Sequence, residues 1–512
     1  EVTEGIKLSF SPKTNNTKIL IKLNEKSAKG KLKPAPEKVP IYHEKFGKLE
    51  LTFPIDWSMN PYESKNWMHH LNSLRWLKEG KEIDSVIRDF YTYHFTNKKR
   101  HPYFNTRAGD HTISIRLIKC CEIYANANKE LRLILEKIMM NDISSLMNES
   151  VYRSGHNHGL MADVALMKAA RLSKFCSPHI DVDEIKSRAD KTIKKMFFPT
   201  GLTKEHSLSY QLWNLNYVLE FFEELGEEHA SQTKIRDEFV KFSKDFLDHF
   251  MVNQDYQFPI GDSFRKLNTS LYEKVFNIKP AEKMGIYEND QFSTVRYKNT
   301  GGHTVHVTLV SGYNSHIHKQ DDDLSFCLAI NGRIVFDDAG YSDTTSSEQN
   351  AFLASSEAHS VLTVQGAPFR EKVGMRASLV EPIRKPNTEY CLSGTHYRIP
   401  GARIMRTILA GDTEVKIEDT IESEEFTDSI TIKRRFIVNP EFKCKIVNDG
   451  GVCIQDKTGH DVMHVRSKGA EFVLFSEGVY VYEDKRQTGE LQGFDVLCDK
   501  KSMSSVHLEF KQ

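Results

Sequence analysis

LSFCLAINGRIVF, residues 324–336, decides the fold. Two apolar runs flank Asn331-Gly332, a dipeptide suited to a two-residue hairpin turn because both turn positions need positive φ. The stretch predicts two antiparallel strands. Upstream, STVRY (293–297) and HTVHVTLVSG (303–312) have the period-two pattern of strands. Downstream, the pattern continues through SVLTVQG (360–366), RIMRTILAG (403–411), EVKIEDTI (414–421), SITIKRRFIV (429–438), EFVLFS (471–476) and VYVYE (479–483). Many short strands with no helices between them predict an antiparallel β-sandwich over 284–512.

Before residue 284 the period changes. SLRWLKEGKEIDSVIRDFYTYHF (73–95), ISIRLIKCCEIYANANKELRLILEKIMM (113–140), LMADVALMKAARL (160–172) and LWNLNYVLEFFEEL (212–225) place apolar residues at three- and four-residue steps. Leu208, Leu212, Leu215 and Leu219 form one stripe, leaving Tyr210, Asn214 and Tyr217 on other faces of the same helix. Residues 56–283 therefore read as a helical domain whose hairpins could stack into a toroid. Residues 1–55 read as an extension with short strands, KILIKL (18–23) and KLELTF (48–53), around a Lys/Pro-rich loop at 26–40. The fold class is α+β and multidomain.

Composition narrows the function. The 512 residues carry 70 Lys plus Arg against 70 Asp plus Glu. This balance argues against a general nucleic-acid binder, yet permits a local basic cleft for a polyanion. No apolar run reaches membrane-spanning length. The eight cysteines form no CxxC pair, and several lie inside apolar runs, which favours buried free thiols over a disulfide framework. The chain begins at Glu1 rather than at a methionine, and a removed signal peptide, with a periplasmic or secreted location, is the expectation.

Four polar clusters interrupt the patterns. RSGHNHG (153–159) crowds His156, Asn157 and His158 before a helix, although Asn157 or His158 could simply cap it. EHSLSYQLW (205–213) opens another helix with Glu205, His206, Ser207 and Tyr210; the bland reading is an amphipathic helix with Tyr210 at the core edge. SHIHKQDDD (315–323) would put His316 and His318 on one face if extended, or would be a solvated acidic loop. FDDAGYS (336–342) and EAHSVLTV (357–364) supply Asp337, Asp338 and His359, which could join His318 around a metal, since imidazole and carboxylate suit zinc.

Taken together, these pieces resemble the heparinase II/III and alginate lyase superfamily. The resemblance rests on DW...NW...LNSLRWL, HTISIRL with Arg116, NHG, E-x-S-x-x-Y (Glu205, Ser207, Tyr210), FPIGDS (258–263), HIHKQDDDLS, DDAGY and EAHSVLTVQG, in that order from about Asp56 to the C-terminus. It implies an incomplete (α/α) toroid followed by an antiparallel β-sandwich. It also implies a lyase that cleaves a uronate polymer by β-elimination. By resemblance Asn157 neutralises the substrate carboxylate, His158 lines the same site, Tyr210 transfers the proton and His316 is contributed by the β domain. Arg116, Arg153, Glu205 and Trp213 are the expected substrate contacts. His318, Asp338 and His359 match zinc ligands, with Asp337 as the neighbouring alternative, and the Zn2+ would be structural. Relatives usually have His after the motif Tyr; here Gln211 stands.

The chemistry suits these residue types. Loss of the C5 proton requires the uronate charge to be neutralised, and one preorganised donor such as the Asn157 amide is worth about 3–4 kcal/mol. A Tyr base needs a cationic neighbourhood, because its ordinary pKa is about 10. Where H5 and O4 lie on one side of the ring, as in glucuronate and mannuronate, one Tyr could serve as base and then acid. Where they lie on opposite faces, as in iduronate and guluronate, His158 or His316 would pair with Tyr210. The expected partner is an acidic polysaccharide, with no nucleic acid and no membrane span. Two other readings compete. A glycoside hydrolase would use Glu205 and Asp262, and a non-catalytic binding protein would stack sugars on Trp57, Trp213 and Tyr217.

Overall fold

The computed structural model describes residues 37–43, 46–78, 80, 82–97, 107–226, 230–315, 317–342, 346–370, 378–384, 389–482 and 487–511. The chain divides into two compact units. The first comprises residues up to Met196 together with Tyr217–Thr233; the second comprises Phe197–Asn216 and Lys234–Gln512.

In the first unit, Lys38–His43 and Gly47–Thr52 form an antiparallel pair. The strand at 48–53 is thus present, and Lys38–Pro40 is strand rather than loop. Val39 and Ile41 alternate inward, which pays for including Pro40 in an exposed position of the pair. KILIKL lies outside the described residues. Helices follow at Lys65–Asn72, Ile83–Tyr91, Asp110–Asn126, Lys129–Leu146, Asn157–Leu172 and Val182–Met196. The helical pattern of 73–95 holds only from Ile83; Leu74 takes φ +60° and the chain turns there. The pattern of 113–140 breaks at Ala127-Asn128, where the Asn128 side chain accepts from Leu131 N at 2.9 Å and caps a second helix.

Arg116 corrects the sequence reading. It is fully buried, with Nε 2.9 Å and Nη2 2.6 Å from the two oxygens of Asp142, itself fully buried. Nη1 donates to the Asn72 carbonyl at 3.3 Å. The guanidinium fork is spent inside the helical core and is not offered to a substrate. Trp57 is likewise fully buried, with Nε1 donating to Asp89 at 2.9 Å, and cannot stack on a sugar.

The second unit holds three antiparallel sheets. Five consecutive strands, Gly285–Glu288, Phe292–Lys298, Thr304–Val310, Ser325–Ile330 and Arg333–Phe336, form a meander. Its last turn is the expected one: Asn331 and Gly332 take φ +51° and +74°, and Ile330 pairs with Arg333. A four-stranded and an eight-stranded sheet complete the unit. EFVLFS and VYVYE prove to be one strand, Glu471–Val481, bulged between Glu477 and Tyr480. One apolar core draws on all three sheets, including Val307 and Phe326, Ile432 and Phe494, and Ile404 and Val465. The opposite face of the meander (Phe292, Cys327, Ala329, Ile334) packs on Leu208, Leu212, Phe246 and Phe250 from helices Leu208–Leu225 and Ala230–Phe250. Burial on both faces explains why LSFCLAI is almost continuously apolar. All eight cysteines are free thiols, six of them buried.

Arg116→Met should destabilise the protein by about 3–5 kcal/mol, because Asp142 would be left charged and uncompensated in the core. Arg116→Met with Asp142→Leu should recover most of that loss. Denaturant unfolding of the three proteins checks both statements, and a negligible loss in the single variant would contradict the pair's burial.

Candidate active site

In the second unit the site is built where two motif segments clamp each other. Ser207 Oγ accepts from Tyr210 N at 3.2 Å and donates to the Asp262 carbonyl at 2.9 Å. Ser263 Oγ lies 2.9 Å from Ser207 Oγ and accepts from Leu208 N at 2.9 Å. The start of the helix Leu208–Leu225 is therefore capped jointly by its own Ser207 and by the FPIGDS loop. Gly261, at φ +58°, is required: a Cβ there would lie 2.3 Å from the His206 carbonyl. Gln211, standing where relatives have His, is fully buried. It accepts from Thr203 N at 2.7 Å and donates to Gly201 O and Ser243 Oγ, so it staples the helix from inside.

This clamp presents six side chains together. His318 Nδ1 lies 2.6 Å from Asp262 Oδ2, and Gln320 Nε2 donates to Asp262 Oδ1 at 2.7 Å. On the other edge of the imidazole, Nε2 is 3.7 Å from Glu205 Oε2. The Tyr210 ring stacks on His318 with centroids 3.6 Å apart, and Trp213 meets Tyr210 edge-on at 5.0 Å. His318 has φ +56°, so it sits in a turn and not in an extended segment. The following acids are not a solvated loop: Asp321 and Asp323 pair with Arg398 at 2.6 and 2.5 Å, and Asp322 pairs with Lys319. His316 lies outside the described residues.

Among the described residues, the groups that act most on the Tyr210 phenol are acidic or phenolic. Burial pushes its phenol well above the ordinary value, and Tyr341, Asp262 and Glu205 push the same way. Tyr341 also hydrogen-bonds to it. The phenol is thus held in its protonated form.

In the first unit, Asp110 organises a second cluster at the start of the helix Asp110–Asn126. Its Oδ1 is 3.1 Å from His158 Nδ1, and its Oδ2 is 2.6 Å from Arg153 Nε. A carboxylate on Nδ1 holds the proton there and leaves the lone pair on Nε2. His156, not Asn157 or His158, is the residue that caps the helix Asn157–Leu172: its Nδ1 accepts from His158 N at 3.2 Å. That frees Asn157 from capping; it is buried, and its Oδ1 has no hydrogen-bond partner. Rings of His69, His111 and His158 stack in a column with centroids 4.3 and 4.7 Å apart, and His156 meets His158 edge-on. Asp110, His111 and His69 were missed by the sequence reading. HTISIRL contains His111, but a lone His at a helix start has a bland explanation.

The expected metal ligands do not gather. His359 Nδ1 is 2.7 Å from Asp338 Oδ2, deep in the second unit, while the His318 imidazole is committed to Asp262 and Glu205. Asp337 is saturated by Arg265, Tyr480 and Asn439. Among the described residues, the His318, Asp338 and His359 donors form no cluster with metal-ligand spacing. Asp262, which holds His318, lies 56 positions from it in the sequence, and His359 Nε2 is buried with no hydrogen-bond partner among the described residues.

The fold class is α+β: a helical N-terminal region, then antiparallel sheets. Residues 279–500 match the family described as "Heparinase II/III-like, C-terminal". The match covers the C-terminal β-rich part of the chain and marks it as a heparinase II/III-like domain. Among solved structures, it is similar to one described as heparinase III (TM-score 0.69, 14% identity, 89% of this chain and 79% of that one). It is also similar to a mutant of the heparan sulfate lyase HepC from Pedobacter heparinus (TM-score 0.64, 14% identity, 96% and 83%). At such identities the likeness is one of fold. No curated protein matches the sequence. No helix among the described residues is long and apolar enough to cross a membrane.

Three histidines of the first unit make stability pH-dependent. Burial lowers His70 to about 4, His111 to about 3 and His69 well below its ordinary value. Below pH about 6.5 the unfolded chain therefore binds protons that the folded chain refuses, so stability is complete above that pH and falls as pH drops towards 4. Unfolding free energy measured from pH 7 to 4.5 should decline, and His111→Gln should decline less steeply. Equal slopes would contradict the burial of neutral imidazoles.

Proposed function

We propose that this protein is a polysaccharide lyase that cleaves a uronic-acid-containing polymer by β-elimination, leaving 4,5-unsaturated uronate ends. The observation that carries the reading is the Tyr210 phenol, stacked on an imidazole that Asp262 holds at 2.6 Å. An elimination needs a proton delivered to the C4 oxygen as the C–O bond breaks. A buried phenol among acidic groups is a donor for that step, and general acid–base groups of this kind contribute about 10²–10⁴-fold.

The base is then an imidazole. His158 is suited to it, because Asp110 sets its tautomer and leaves the Nε2 lone pair unprotonated in the neutral ring. The Asn157 amide, buried and spared from capping, is the group for the sugar carboxylate; neutralising that charge is what acidifies C5–H. Arg153, a third exposed and paired with Asp110, adds positive charge. Trp213 is a half-buried aromatic surface behind Tyr210. An enzyme on such a polymer would work in the periplasm or outside the cell.

The hydrolase reading loses support. Glu205 and Asp262 lie on opposite edges of one imidazole, which fills the space where a scissile bond and a water would have to sit.

The test is a screen of acidic polysaccharides, glycosaminoglycans included, for ultraviolet-absorbing unsaturated products. Tyr210→Phe should lower kcat by at least about 100-fold with little change in KM. Saturated products, or a Tyr210→Phe enzyme of full activity, would end the proposal.

A further inference from the structure

The eight-stranded sheet carries a cluster that the proposed chemistry does not use. Strand Val452–Gln455 pairs with Asp461–Ser467, and Cys453 stands directly opposite His464. Their neighbours Val452, Ile454, Met463 and Val465 are fully buried in the core, so Cys453 and His464 project from the other face. By strict alternation Asp461, three positions before His464, would point inward. A bulge between Ile454 and Gln455 resets the register and turns Asp461 to the same face as His464.

The three side chains are preorganised. Asp461 Oδ2 is 3.1 Å from His464 Nε2, and Gln455 Nε2 holds Asp461 Oδ1 at 2.8 Å. The Cys453 thiol hydrogen-bonds to the same carboxylate. One sulfur, one nitrogen and one oxygen donor lie within 4.8 Å of one another. In a tetrahedral site with arms of about 2.0–2.3 Å, ligand atoms stand about 3.3–3.8 Å apart. The oxygen–nitrogen separation already approaches that spacing. Replacing the shared protons by a metal ion therefore needs only small shifts.

We propose that Cys453, Asp461 and His464 bind a divalent transition-metal ion of the zinc class. Thiolate, imidazole and carboxylate together select zinc or cobalt over magnesium or calcium, which take oxygen ligands. Binding releases the thiol proton to solvent and forms one metal–sulfur bond. The fourth position goes to water or to Glu509, which stands opposite His464 on the next strand, Val506–Phe510. The site rests on none of the residues assigned to the lyase reaction. Its function is structural: it ties adjacent strands at the end of the sheet.

The probe is Co2+ added to the full-length chain after chelator treatment. The expected result is one equivalent bound, a near-ultraviolet thiolate-to-cobalt band with visible d–d bands, and displacement of both by one equivalent of Zn2+. Cys453→Ser should abolish the thiolate band, and Asp461→Asn, at an exposed position, should weaken binding without altering metal-free thermal unfolding. Absence of a thiolate band in the parent, its persistence in Cys453→Ser, or unchanged affinity in both Asp461→Asn and His464→Gln would overturn the proposal.

Discussion

The second unit depends on a five-stranded sheet that is buried on both faces. One face, with Val307 and Phe326, closes the core shared by the three sheets. The other, with Phe292, Cys327 and Ala329, seats the helices that carry Leu208, Leu212 and Phe246. A strand with no solvent face cannot slip register without burying polar groups, so its pairing is strongly specified. The consequence for the site is positional. The helix that bears Tyr210 is packed on the same sheet whose strand Ser325–Ile330 follows the turn bearing His318. Phenol and imidazole are therefore held by rigid elements, with Gly261 and two serines locking the loop between them.

The same device occurs in both units. Asp110 holds His158 by Nδ1, and Asp262 holds His318 by Nδ1. In each case a carboxylate sets the tautomer and aims the other ring nitrogen outward from the pair. Tyr210 lies among acidic and phenolic groups, which keep its proton on. Under the proposed reading, acid and base are different residue types.

Several polar residues within the quoted motifs turn out to be structural. Arg116, inside HTISIRL, neutralises Asp142 in a dry core. Asp321 and Asp323 hold Arg398, and Asp337 holds Arg265. Buried charges of this kind have to be paired, whatever the protein does. A motif can thus be maintained by packing and by chemistry at once, and the residue types alone do not separate the two.

Much was legible in the linear order of residues because it depends on local periodicity. The change from three-and-four to two-residue spacing near residue 284 marks helices giving way to strands, and Asn331-Gly332 specifies its turn through the φ values its two residues tolerate. The candidate residues Tyr210, His158 and Glu205 were visible as polar interruptions of those patterns. What tertiary structure alone decided is which polar groups meet. Asp110 lies 48 positions from His158, and Asp262 lies 56 from His318. No spacing rule links such pairs, since their contact is set by how helices and loops pack. Protonation states follow from burial and neighbours, so they too were settled by the fold rather than by the order of the chain.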